Sequence, residues 1–290
     1  MRPPERPGSA RALAWALVLT VVIAALEVGG GLLSHSLALL ADAGHMVTDA
    51  GALGLSLFAL RIARRPPTAE KSFGYYRLEI LAALFNGALL IGVAVWIVAA
   101  ALARLREPPA IRSGLMLAIA VVGLAANVVA VVMLYRAREE NLNTRAAYLH
   151  ILGDTLGSVG TIAAAGVILA TGWVLADPLI SIAIATLILV SAVRLVGESV
   201  DVLLEATPRH VSLEELHGAI RAVWGVSDVH DLHVWTVSNG IVAMSAHARV
   251  SDPAEHQRAL EEICRRARGF GIQHVTIQME RETAWHEERT

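Results

Sequence analysis

Between Arg11 and Val196 the chain is a succession of apolar runs separated by short polar joints. A helix needs about 20 apolar residues to cross the hydrocarbon core of a bilayer. Six runs meet that length, at roughly Arg11–Leu33, Ser36–Ile62, Arg77–Leu105, Ser113–Tyr135, Thr144–Ala170 and Ala176–Val196. Each run is continuous rather than alternating, so the spans read as helices and not as strands of a barrel. The first run begins basic, as a leader would. Its apolar stretch is longer than a leader core and no small-x-small site ends it, so it reads as a retained span.

Composition agrees. Hydrophobic residues make up 55% of the 290 and charged residues 17%, whereas a soluble domain is about a quarter charged. The shortage of charge stops near residue 205, and from Thr207 the chain reads as a soluble domain. The expected organisation is a membrane domain over 1–205 and a cytosolic domain over 206–290. A net charge of −2 gives no basic footprint for nucleic acid. The one cysteine, Cys264, allows neither an internal disulfide nor a Cys-based zinc motif.

Basic residues set the orientation. Arg2 and Arg6 precede the first span; Arg64, Arg65 and Lys71 lie between spans two and three; Arg136, Arg138 and Arg145 lie between four and five. The joints after spans one and five carry no Lys or Arg, although Arg104, Arg106 and Arg112 break the pattern after span three. The balance places both termini in the cytosol, and the short joints fit a bacterial cytoplasmic (inner) membrane better than a eukaryotic organelle membrane.

Span two holds His45 and Asp49 within "ADAGHMVTDAGAL", and span five holds His150 and Asp154 within "LHILGDTLGS". Residues four apart share one face of a helix. Ionisable groups inside a span are costly and mark a partner or a pathway. One such pair is as well explained by a hydrogen bond gluing two helices together. Two copies facing each other offer two imidazole nitrogens and two carboxylates, a tetrahedral set for Zn²⁺, with Cd²⁺, Co²⁺ and Ni²⁺ as rivals. Two ionised aspartates also cancel the charge of the ion.

Four protein ligands leave no open position for a catalytic water, and "HEER" at His286 lacks the second histidine of a zinc-protease motif. The reading is therefore a transporter and not an enzyme, while a structural or sensing zinc stays open. A neutral histidine and an ionised aspartate are needed to hold metal, so metal and protons compete for the same groups. That competition is the logic of an antiporter.

The chain resembles the cation diffusion facilitator family of metal transporters, in its zinc-transporting branch. The resemblance rests on "SLALLADAGHMVTDAGAL", "KSFGYYRLEILAALFNG", "NTRAAYLHILGDTLGSVG" and "DLHVW". It implies six transmembrane helices with a cytosolic domain, a homodimer, and efflux of Zn²⁺ against H⁺ by alternating access through His45, Asp49, His150 and Asp154. It also implies a role for the tail in dimer contact and metal sensing, with His230 and His247 where metal-site residues occur on the first two strands. His256 and Glu280 are further candidates. Many relatives carry a histidine-rich loop between spans four and five, and "RAREENLNTR" has no histidine. Some carry a second metal site between spans two and three; "RIARRPPTAEKSFGYY" has no histidine and one acid, Glu70, so no site is expected there.

In the tail, Ser212 and Glu215 form a capping box, and "SNG" separates two strand patterns over Val226–Val237 and Ile241–Val250. A helix follows Asp252-Pro253, and a last strand covers Ile272–Glu280. The order is αββαβ, a two-layer, ferredoxin-like α+β domain. Among other polar residues in the spans, Asp177 is expected to cap span six, and Asn86 and Asn127 to bond between helices. Glu27 and Glu79 are expected to pair with nearby arginines or to line a water path.

Overall fold

The computed structural model describes residues 7–63, 68–71, 74–135, 142–238 and 241–281. Within these, it describes no side chains for 7–14, 16, 49, 52–61, 63, 134 and 142–150. Six long helices come first: α1 (Pro7–Ser34), α2 (Leu37–Ala63), α3 (Arg77–Arg106), α4 (Ser113–Tyr135), α5 (Leu142–Thr171) and α6 (Ala176–Leu203). Among the described residues, five of them are long and apolar enough to cross a membrane. The sixth, α2, has 27 residues, about 40 Å of helix, and its described apolar portion is Leu37–Thr48.

The first compact unit comprises residues 1–58 and 82–196. Its side chains are sorted as lipid requires. Phe85, Leu156 and Leu187 are 64, 69 and 69% exposed, whereas Glu27, Asp42, Asn127, Asp154 and Asp177 are buried. An exposed apolar surface of this extent would aggregate in water; in a bilayer it is the solvated face. Small residues bring the helices together. Ala38, Ala120, Ala164 and Ala165 share one cluster across α2, α4 and α5, and Ala41, Ala94 and Ala185 share another across α2, α3 and α6.

Asp177 lies in the first turn of α6, but it does not cap that helix. It reaches the start of α2, accepting from Ser36 Oγ at 2.6 Å, Leu37 N at 2.8 Å and Ala38 N at 3.1 Å. The N-terminal N–H groups of a membrane helix have no water to satisfy them, so a carboxylate from a neighbour fills the role. Arg104 of α3 balances the charge from 3.5 Å and donates to His35 O at 2.6 Å. The turn between α1 and α2 is thus tied to α3 and α6.

The second unit comprises residues 59–81 and 197–290. Here Glu79 accepts from Ser238 Oγ at 3.2 Å, so its partner is a serine rather than an arginine. Helix α7 (Leu213–Arg221) starts at Ser212, whose side chain accepts from Glu215 N. Strands β1 (Val226–Ser238) and β2 (Ile241–Val250) pair antiparallel, and β3 (His274–Glu280) joins β2 in parallel. A parallel neighbour needs a crossover, which α8 (His256–Gly269) supplies after a short 3₁₀ turn, Pro253–Glu255, capped by Asp252. The sheet is therefore mixed. Leu216, Ile220, Met244, Ile263 and Ile272 are fully buried where α7 and α8 cover one face of the sheet. Cys264 is half-buried on α8.

Candidate metal sites

His45 and Asp154 meet in the membrane unit. His45 Nε2 lies 3.7 Å from Asp154 Oδ1, with the aspartate side chain 3% exposed and the histidine 22%. The two helices run antiparallel here: stepping from Asp42 to His45 along α2 corresponds to stepping back from Ser158 to Asp154 along α5. One more helical turn in the same progression carries Asp49 to the level of His150. Those two side chains lie outside the described residues. Two membrane helices thus bring an imidazole and a carboxylate together where both are largely removed from bulk water. Such a pair can accept a divalent ion, or hold protons in its place.

One turn away along the same seam is a buried polar network. Ser158 Oγ donates to Asp42 Oδ2 at 3.3 Å, and Asn127 Nδ2 of α4 donates to Ser158 Oγ at 3.3 Å. The expected interhelical bond of Asn127 is present; Asn86 is buried on α3. Glu27 on α1 is 1% exposed, and no arginine reaches it: its carboxylate oxygens accept no hydrogen bond from any described residue. The sequence alone drew attention to Glu27 but not to Ser158. The available signal was its spacing, four residues after Asp154 on the same face.

The second unit gathers three of the four tail candidates. His230 on β1 and His247 on β2 are directly opposed in the register, with ring centroids 5.3 Å apart. Glu280, at the end of β3, lies 3.4 Å from His230 Nε2 and 2.8 Å from His247 Nδ1, and is 3% exposed. One ligand atom from each residue falls within 4.8 Å of the others. Two nitrogens and an oxygen make a three-ligand divalent-metal set. Arg249 stands close by, with Nε 3.8 Å from Glu280 Oε2, so a guanidinium shares the carboxylate.

Asp231 adds an outer contact, 3.6 Å from His247 Nε2. Its carboxyl is held below its ordinary value, first by the hydrogen bond from His233 and then by the neighbouring imidazoles. His256 lies outside this group, at the start of α8, with Nε2 buried and no hydrogen-bond partner among the described residues. His217 is a core-edge histidine, 3.0 Å from Val229 O.

Apolar outer faces, buried acids and an intramembrane His–Asp contact define a polytopic membrane protein with an ion-handling interior. The chain matches the cation efflux transmembrane domain over residues 13–204 and the cation efflux protein cytoplasmic domain over 208–282. It belongs to the cation efflux family. It is 46% identical to the zinc transporter ZitB of Escherichia coli over 276 residues, 94% of this chain and 88% of that protein. It is 41% identical over 267 residues to the cadmium, cobalt and zinc/H(+)-K(+) antiporter of Bacillus subtilis, 90% of this chain and 86% of that protein. It is 43% identical over 276 residues to the metal cation efflux system protein CzcD of Cupriavidus metallidurans, 94% of this chain and 87% of that protein. The family and these relatives are transporters, so a catalytic role for the metal falls away.

Proposed function

We propose that the chain exports Zn²⁺ from the cytosol in exchange for protons, as a homodimer in the cytoplasmic membrane with both termini inside. Residues 1–205 carry the ion and residues 206–290 form the cytosolic domain. The observation that carries this reading is the contact between His45 and Asp154 inside the helical unit, with Asp49 and His150 one turn further along the same two helices. Imidazole plus carboxylate suits Zn²⁺, with Cd²⁺ and Co²⁺ as further cargo, in keeping with the names of the relatives.

The exchange follows from the groups. Zinc binds neutral histidine and ionised aspartate, so loading from the cytosol releases protons, and protons entering from a more acidic far side displace the metal. His230, His247 and Glu280 are proposed to hold a second, regulatory zinc. His256 stands apart from that set.

The test is zinc movement into vesicles that contain a zinc-sensitive dye and carry an imposed pH gradient, with Asp49→Ala run alongside. Flux that follows the gradient and vanishes in the variant supports the reading. Zinc that binds but never crosses would replace it with a structural or sensing metal.

A further inference from the structure

The seam that holds His45 and Asp154 continues toward the N-terminal end of α2. The next side chains along it are the buried carboxylates Asp42 and Glu27, the Ser158 hydroxyl and the Asn127 amide. We propose that these four groups form a second, transient divalent-cation station, through which the metal passes between the four-residue site and the end of the bundle where α2 and α6 begin. This rests on the transport reading above.

Each of the four is at most 2% exposed, and they come from four helices, α1, α2, α4 and α5. Asp42 is one turn from His45, and Ser158 one turn from Asp154. The backbone makes room for both acids. A Cβ on Gly157 would come within 3.0 Å of Asp42 Oδ1, and one on Gly123 would collide with Glu27 Oε1. The helices therefore close around carboxylates, not around apolar side chains.

A purely structural hydrogen-bonded patch should satisfy its members, because an unpaired polar group in a membrane interior costs several kcal/mol. Asp42 is served by one long hydrogen bond at 3.3 Å, and both oxygens of Glu27 accept none from the described residues. Glu27 fills the space at Gly123, one turn before Asn127 on the same face of α4, so its carboxylate lies one turn along that helix from the Asn127–Ser158–Asp42 chain. Acids held together with spare acceptor capacity are provision for a cation. Their oxygens are harder than imidazole and bind Zn²⁺ more weakly. A weaker second station beside a tight one lets an ion move on rather than stay.

In this structure the Asn127–Ser158–Asp42 chain of hydrogen bonds bridges α4, α5 and α2 across that position. It must open for an ion to occupy the station. The same groups therefore serve as latch and landing point.

The test compares Asp42→Asn, Glu27→Gln and Ser158→Ala with the unaltered full-length protein. Equilibrium Zn²⁺ binding is read by dye competition in detergent, and zinc flux is read in proteoliposomes. The expected result is binding within about twofold of the parent and saturated flux in Asp42→Asn and Glu27→Gln at least about tenfold lower, a split that only a step after binding produces. Ser158→Ala keeps both acids but removes one neutral group of the station, with its bonds to Asp42 and Asn127, so its flux is expected to fall, and to fall less than in either acid variant.

Glu27 has no described hydrogen bond to lose, so Glu27→Gln decides the matter even if Asp42→Asn misfolds. Parent-like flux in Glu27→Gln overturns the station. So does a fall in Zn²⁺ affinity that matches the fall in flux, which would make these residues supports of the first site. A parent protein that moves no zinc overturns the transport reading itself, and the station with it.

Discussion

Removing the carboxylate of Asp177 should loosen the membrane unit at the end where α2 and α6 begin. The side chain is completely buried. It accepts from the Ser36 hydroxyl and from two N-terminal N–H groups of α2, and balances Arg104. Loss of an N-cap costs about 0.5–2 kcal/mol. A hydrogen bond to a charged group contributes about 1.5–3 kcal/mol, so the three bonds would set an upper bound well above the cap value. Arg104 keeps its bond to His35 O, and its side chain is 23% exposed, which discounts the cost of orphaning its charge. A destabilisation of about 2–4 kcal/mol is expected for Asp177→Ala.

Asp177→Asn keeps one acceptor oxygen at the cap and should lose roughly half as much, and Ser36→Ala about 1 kcal/mol. The assay is heat-induced loss of the monodisperse peak of detergent-purified protein, with denaturant titration for the energies. An Asp177→Ala protein as stable as the parent would refute the reasoning. So would an Asn variant as damaged as the Ala variant, since the cap would then be irrelevant and the ion pair alone would matter.

His45→Ala or Asp154→Ala should abolish zinc flux in vesicles while leaving the size-exclusion profile unchanged. His45→Asp should move selectivity toward harder ions such as Mn²⁺, checked by competition between Mn²⁺ and Zn²⁺ for transport. Glu280→Gln should lower by one the number of zinc ions bound per chain in a His45→Ala background, measured by elemental analysis after gel filtration; an unchanged count refutes the site in the tail. The Glu262 carboxyl is held below its ordinary value of 4.5, first by the hydrogen bond from Arg266 and then by Arg265. A depressed value means that its contribution to stability is present above the unfolded value and is lost as the pH falls through the lower, folded value. A carboxyl titration by NMR that shows Glu262 at or above 4.5 would refute the pairing.

The helical spans were legible in the chain because a bilayer imposes one rule on every backbone group, and length plus apolarity expresses that rule directly. The His-x-x-x-Asp repeats were legible for a similar reason: helical periodicity alone puts His45 with Asp49, and His150 with Asp154. The tail order was legible from a capping box, a turn and period-two alternation. Less visible were links between residues distant in the chain. Asp177 read as the cap of its own helix, yet it caps α2, because the nearest unsatisfied N–H groups belong to a neighbour packed against it. Glu27 was expected to pair with an arginine or line a water path. No described arginine reaches it, so the pairing half of that expectation fails, and its carboxylate fills a space left by Gly123.

The sequence by itself determined the solvent this protein lives in, the number of its helices and the chemistry of its metal-binding groups. These depend on composition and on spacing within single elements. Tertiary structure alone decided that His45 opposes Asp154, that Ser158 closes on Asp42, and that His230, His247 and Glu280 converge while His256 does not. Such pairings depend on how helices align and on how strands register. Those are set by many small packing contacts summed over whole elements, and no short stretch of chain encodes them.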